Sequence, residues 1–233
     1  MSDFKKDGFL SFENEVMPEL MANHTVYALP FSGKFIDIGV PEDFYRAQDV
    51  IQEWTTRRKR KAVFMDRDGT INIDTGYVYK KEDLQWVPGV LDFMRAVLSM
   101  GYEIVIITNQ AGVAKGKYSI EDYRVFQNHL ITELAKEKIQ ILDTYYCPDH
   151  PEGKVSPYNR ESLFRKPSPA MVLEAADKHF IAISDSYMVG DKETDAVDLP
   201  YLRTFLLKGK YPIKDGLSVY SDFQEIMEVI KNV

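Results

Sequence analysis

Four apolar residues, Ala62-Val63-Phe64-Met65, run directly into Asp66-Arg67-Asp68-Gly69-Thr70. A short apolar run bounded by a turn signal reads as a strand buried in a parallel sheet. Open α/β sheets bind ligands at the carboxyl ends of their strands. Two carboxylates crowded there resist ionising together unless a cation neutralises them. Mg²⁺, a hard ion that takes oxygen ligands, meets that need. A strand ending in a polar turn is the plainer reading of Asp-x-Asp-Gly alone, so the decision falls to partners further along the chain.

From Ala62 onward, strands and helices alternate, the pattern of a parallel sheet with helices on both faces. Pro88 opens a helix carrying Val90, Leu91, Phe93, Met94, Val97 and Leu98, closed at Gly101. A strand over Ile104 to Ile107 ends in Thr108-Asn109-Gln110, and Ala111 to Lys117 reads as loop. Ser119 and Asp122 form a capping box for a helix reaching about Lys138. The next strand lies near Ile139 to Tyr146, before a long irregular loop to Phe164. Ser168 caps a further helix with Pro169 at its first position. Strands at Tyr187 to Val189 and Thr204 to Leu207, and a last helix from Ser221, complete this part.

The first 56 residues differ in character. Ser11 to Leu20 reads as a short capped helix stopped near Pro18. Thr25 to Leu29 and Lys34 to Gly39 read as strands around a Ser32-Gly33 turn. Pro41 then opens a helix through Val50, Ile51 and Trp54. Apolar Phe12, Val16, Val26, Phe35, Ile36, Ile38, Phe44 and Ile51 are too many for a disordered tail. Three parts follow: residues 1–56 as a small α+β appendage, 57–61 as a basic linker (Arg57-Arg58-Lys59-Arg60-Lys61), and 62–233 as a Rossmann-like parallel-sheet domain. Phe35-Ile36-Asp37-Ile38-Gly39 with Pro41-Glu42-Asp43 resembles the C-terminal end of sugar-1-phosphate nucleotidyltransferases. In that family the aspartate matching Asp37 helps hold the catalytic metal. Without the family's Gly-rich nucleotide-binding part, the segment is expected to be catalytically silent.

The bulk properties set limits. A length of 233 residues with 45% hydrophobic and 28% charged content allows a sizeable core. A formal net charge of −7 opposes general nucleic-acid binding. One cysteine and no apolar run of signal-peptide or membrane-spanning length predict a cytoplasmic protein without membrane partners.

At the predicted strand ends stand Asp66 and Asp68, then Thr108-Asn109, then Lys166, then Gly190-Asp191. Parallel strands bring these ends to one edge. The set suits phosphoryl transfer through an aspartyl phosphate. Asp66 is the nucleophile and Asp68 the general acid and base. Thr108 and Lys166 hold phosphate oxygens, and Mg²⁺ is held by the side chains of Asp66 and Asp191, with Asp68 counted as the third metal residue.

With these motifs in order, residues 60–233 resemble the haloacid dehalogenase superfamily. Asp66-x-Asp68-Gly69-Thr70, Thr108, Lys166 and Gly190-Asp191 match its four motifs. Gly76-Tyr77-Val78, Thr108 to Gly116, Cys147-Pro148-Asp149-His150-Pro151, Arg165-Lys166-Pro167 and Gly190-Asp191-Lys192 narrow the resemblance to its heptose-bisphosphate phosphatase branch, beside the histidinol-phosphate phosphatases. The resemblance implies a core without a large cap domain. It also implies substrate contacts by Arg165 and, next to it, Asn109 and Lys166. The branch usually carries a structural zinc on Cys-x-His and Cys-x-Cys. Here Cys147 remains, but Asp149, Ser162 and Phe164 stand at the other three positions, so no zinc is expected. The loop from Asp149 to Phe164 is then either packed through Tyr158, Leu163 and Phe164 or mobile.

The function this implies is Mg²⁺-dependent hydrolysis of a phosphorylated sugar, with heptose 1,7-bisphosphate cleaved at the 7-phosphate in first place. Histidinol phosphate, a polynucleotide 3′-phosphate, and an inactive sugar-phosphate binder are the alternatives. A homodimer through the N-terminal segment is the expected cover for its apolar face.

Overall fold

The computed structural model describes residues 11–24, 26, 35–56 and 59–232. The chain divides into two compact units, Met1–Pro30 and Phe31–Val233.

In the first unit, Ser11 Oγ accepts the Asn14 N–H at 3.2 Å and starts a wide π turn, Phe12–Val16, which runs on as helix α1, Met17–Asn23. Pro18 therefore does not stop the helix as expected. It occupies the first turn of α1, where an N–H has no intrahelical partner to lose. The expected strand over Thr25 to Leu29 lies, Val26 apart, outside the described residues.

In the second unit, Phe35 to Ile38 have no regular structure, so the expected strand there is absent from the described residues. Their side chains have no sheet to join, and Phe35 is 88% exposed. Helix α2, Pro41–Thr56, starts where Pro and two acids predict it. Its Ala47 is buried, while Phe44, Tyr45 and Ile51 are exposed.

Six parallel strands follow: β1 (Lys61–Met65), β2 (Tyr102–Asn109), β3 (Asp143–Cys147), β4 (Tyr187–Gly190), β5 (Arg203–Leu207) and β6 (Val219–Tyr220). Their order is β3-β2-β1-β4-β5-β6. Helices α3 (Val90–Ser99), α4 (Ala111–Ala114), α5 (Ile120–Lys136), α6 (Ala170–His179) and α7 (Phe223–Lys231) connect or close them. β1 shows why both faces are covered. Val63 and Met65 pack with Phe93, Phe126 and Ile226 from α3, α5 and α7. Ala62 and Phe64 point to the other face, against Met171, Val172 and Ala175 of α6. The order reverses at β1, which pairs with β2 on one side and β4 on the other. That reversal opens a crevice at the carboxyl ends of β1 and β4. Among the described residues, no helix is long and apolar enough to cross a membrane.

Several boundaries depart from expectation. Arg60 bridges Ile181 and Lys61 belongs to β1, so the end of the basic run is sheet rather than linker. Ala111 to Ala114 form the short helix α4 within the expected loop, because Gly112 admits the Tyr118 ring. A Cβ on Gly112 would lie 2.2 Å from that ring. The capping box of α5 is present as predicted, but Ser168 does not cap α6. Pro169 is its N-cap and no side chain accepts there.

Candidate active site

Asp66 follows β1 directly, and its N–H continues the ladder to Val189 of β4 at 2.9 Å. This fixes the carboxylate at the crevice, 4% exposed. Lys166 reaches it from the loop before α6. Its Nζ donates to Asp66 Oδ1 at 2.7 Å and to the Ile107 carbonyl at 2.7 Å, and it pairs with Asp195 Oδ1 at 2.6 Å. Two of its three N–H bonds are thus engaged in hydrogen bonds, and the contact with Asp195 is an ion pair. Lys166 therefore orients Asp66 while lining the cleft in which a substrate would sit.

Asp191 follows β4 with 2% exposure, and its Oδ1 has no hydrogen-bond partner. Asp195 accepts the N–H groups of Asp191 and Lys192 on Oδ2, both at 3.0 Å. Two glycines make room for these acids. A Cβ on Gly69, whose φ is +98°, would lie 2.1 Å from Asp191 Oδ2, and one on Gly190 would lie 2.2 Å from the Asp195 Cβ. Among the described residues, Asp66, Asp191 and Asp195 form the one group of three or more acids, Cys or His with ligand atoms within 4.8 Å of one another.

Asp68, expected among the metal residues, stands outside that group, and Asp195 is the third carboxylate in it. The Asp68 side chain turns into a ring of donors: Arg67 Nε and Nη2 at 3.0 and 2.7 Å, Asn72 Nδ2 at 3.0 Å and Gln110 Nε2 at 2.9 Å. Its backbone carbonyl accepts from Lys192 Nζ at 2.9 Å. Thr108, wholly buried at the end of β2, accepts from Gln110 and keeps its own O–H to donate. Asn109 lines the cleft and also braces the loop beside it. Its amide exchanges two 3.0 Å hydrogen bonds with the Lys166 backbone, so it positions the loop that carries Lys166. Arg165 lies in an adjoining cleft with Lys115, Lys192 and Tyr211.

The charges do not balance. Burial raises Asp66 against the pull of Lys166. Burial, then the neighbouring Asp66 charge, raises Asp191 to about 8. Lys166 is raised although burial opposes it, because Asp195 and Asp66 face it. Lys192 is raised against burial by Asp66 and Asp191. A buried set of hard oxygen donors with an orphaned Asp191 Oδ1 fits a divalent cation held by Asp66, Asp191 and Asp195.

A pH dependence follows. Asp191 holds its proton more tightly folded than unfolded, so its contribution to metal-free stability is fully present below about pH 4 and is lost as pH rises through about 8. Asp66 shifts the same way. Between pH 5 and 8 the metal-free melting temperature should fall by about 5 °C or more on this account. Saturating divalent cation should remove most of the fall; calorimetry in chelated and loaded buffers measures both.

The remaining expected zinc positions are engaged within the loop. The Asp149 carboxylate pairs with Arg160 at 3.0 Å, Ser162 Oγ accepts the Phe164 N–H, and burial pushes the Cys147 thiol up. Tyr158 packs on Val113, Tyr118 and Tyr123, and Phe164 on the core around Cys147. The loop is thus packed, as one of the two expectations had it.

Sequence reasoning passed over Asp195, Lys192, Arg67 and Gln110. The signal for Asp195 was its spacing, four residues beyond Asp191, in the short turn Glu193–Asp195 that follows β4. Asp74, Tyr77, Tyr118 and Tyr211 complete the cleft of ≈ 270 Å³ around Asp66.

Residues 61–200 match the family described as polynucleotide kinase 3 phosphatase. The chain belongs to that family, within the phosphatases of the haloacid dehalogenase superfamily, and is a phosphoric monoester hydrolase. Among curated relatives it is similar to the D-glycero-beta-D-manno-heptose-1,7-bisphosphate 7-phosphatase of Escherichia coli K12. The two are 41% identical over 134 residues, covering 58% of this chain and 70% of the relative. It is also similar to the D-glycero-alpha-D-manno-heptose-1,7-bisphosphate 7-phosphatase of Photorhabdus laumondii, 37% identical over 162 residues, covering 67% and 87%. The fold matches that of D,D-heptose 1,7-bisphosphate phosphatase from B. bronchiseptica complexed with magnesium and phosphate. The TM-score is 0.63 at 20% identity, over 74% of this chain and 99% of the other.

Proposed function

We propose that this chain is a Mg²⁺-dependent phosphatase that removes the 7-phosphate of heptose 1,7-bisphosphate through an aspartyl phosphate on Asp66. The observation that carries the chemistry is the buried cluster of Asp66, Asp191 and Asp195, of which Asp66 and Asp195 pair with Lys166. Mg²⁺ held by those three carboxylates would supply the positive charge that lets an anionic carboxylate approach an anionic phosphate. Lys166 binds Asp66 through Oδ1, which leaves Oδ2 to attack phosphorus in line. The Thr108 O–H donates to an equatorial oxygen. Asp68 protonates the departing sugar oxygen and then takes a proton from the water that hydrolyses the acyl phosphate.

Support for a bisphosphate comes from the adjoining cleft, where Lys115 and Arg165 stand beside the phosphoryl site. Both push the His150 pKa down through their charge, after burial, so their fields overlap. A second phosphate on the same small molecule suits that basic wall. The polynucleotide 3′-phosphatase reading is favoured by the family match but opposed by the net charge of −7. Inorganic phosphate release with Mg²⁺ from heptose 1,7-bisphosphate, histidinol phosphate and a 3′-phosphorylated oligonucleotide tests the choice. Preference for either of the last two overturns the heptose reading.

We also infer that residues 1–56 are an appendage without a part in the reaction, since the family match begins at residue 61. The boundary between the compact units falls at Pro30 and α2 belongs to the second, yet deletion of residues 1–56 should leave phosphate release within about threefold of the full chain, because the family match begins after α2. The exposed Phe44, Tyr45 and Ile51 of α2 suit cover by a second copy, so light scattering should show a dimer that the deletion converts to a monomer. Loss of activity in a folded truncation would refute the assignment.

A further inference from the structure

Gln110 follows β2 and is 1% exposed. All four hydrogen-bonding positions of its amide are filled. Nε2 donates to Asp68 Oδ2 and to Thr108 Oγ1, both at 2.9 Å. Oε1 accepts from Arg67 Nη2 at 3.2 Å and from Tyr118 Oη at 2.5 Å. A guanidinium only donates, so the amide oxygen must face Arg67 and the amide nitrogen must face Asp68 and Thr108.

The donors around Asp68 are not equivalent. Arg67 and Asn72 lie one and four residues away, in the same turn, and move with Asp68. Gln110 comes from the end of a different strand, 42 residues on. Its second amide hydrogen holds Thr108. One side chain therefore sets the position of the second carboxylate relative to the hydroxyl at the end of β2. Arg67, stacked over the Tyr123 and Phe126 rings at 5.4 and 4.8 Å, supports it from behind.

We propose that Gln110 is a positioning residue for proton transfer, holding Asp68 in fixed relation to a phosphoryl group bound beside Thr108. The inference rests on the acid–base reading of Asp68. In the first step the Asp66 oxygen bonds to phosphorus, the ester P–O bond breaks, and the Asp68 proton passes to the departing oxygen. A sugar alkoxide needs that proton, whereas 4-nitrophenolate leaves without it. Misplacing Asp68 by a fraction of an ångström therefore penalises the sugar phosphate selectively.

The test uses the full chain with Mg²⁺ and single-turnover phosphoenzyme formation from heptose 1,7-bisphosphate and from 4-nitrophenyl phosphate. Gln110→Leu should slow the sugar substrate by about 10- to 100-fold and the aryl substrate by less than about threefold. Added to Asp68→Asn, it should cost the sugar substrate no more than the small factor it costs the aryl substrate, because its hold on Thr108 remains and its effect through the Asp68 proton is already gone. Gln110→Glu keeps the acceptors for Arg67 and Tyr118 but sets a carboxylate against Asp68. It should show the same selectivity, and it serves if the leucine variant fails to fold. Equal losses on both substrates, or additive losses in the double variant, would overturn the proposal. A fully active Asp68→Asn would overturn the acid–base reading itself, and this inference with it.

Discussion

Asp66→Asn should bring phosphate release down by about 10⁴-fold or more, the scale of removing a nucleophile. The substitution keeps the shape of the side chain, the backbone bond to Val189 and an oxygen for Lys166 to bind. What disappears is the charge that attacks phosphorus. The same change relieves repulsion among the buried acids, since Asp66 is raised by burial and by Asp195 despite Lys166. The metal-free variant should therefore unfold no earlier than its parent. A stable variant with no turnover separates chemistry from folding; wild-type turnover would remove Asp66 from the mechanism.

Lys166→Met should have the largest effect on stability. The ammonium is 2% exposed and is the shared partner of Asp66, Asp195 and the Ile107 carbonyl. Removing one side of a buried ion pair costs about 3–5 kcal/mol, because the other side is left uncompensated. For a chain of this size that lowers the melting temperature by roughly 6–20 °C. Methionine fills the volume, so the loss reports charge and not a cavity. Divalent cation should recover part of the stability, and turnover should fall by about 10²-fold or more with Asp66 no longer oriented. A melting temperature within a degree or two of the parent would show that the three contacts contribute little.

The positions of Asp66, Thr108, Lys166 and Asp191 were legible because each stands where a local signal ends: an apolar run, a β-branched strand or a proline. The helices α3, α5 and α7 were legible for the same reason, through their period and their caps. Roles were less so. Asn109 reads as a substrate contact beside Thr108, yet its amide grips the Lys166 backbone, and only the approach of that loop to β2 reveals it. Phe35 to Ile38 have strand composition but no sheet edge to join, and β6 is two residues long, too short to carry a pattern.

By itself the sequence determined a parallel α/β domain with acids at one strand edge, since alternation and turn chemistry act over a few residues. Tertiary structure decided which acids meet. Asp195 rather than Asp68 completes the group with Asp66 and Asp191, because Arg67, Asn72 and Gln110 hold the Asp68 carboxylate at another edge of the cleft while Gly190 lets Asp195 close in. That choice depends on β4 crossing to the far side of β1. A contact set by strand order between residues more than a hundred positions apart leaves no periodicity in the chain to read.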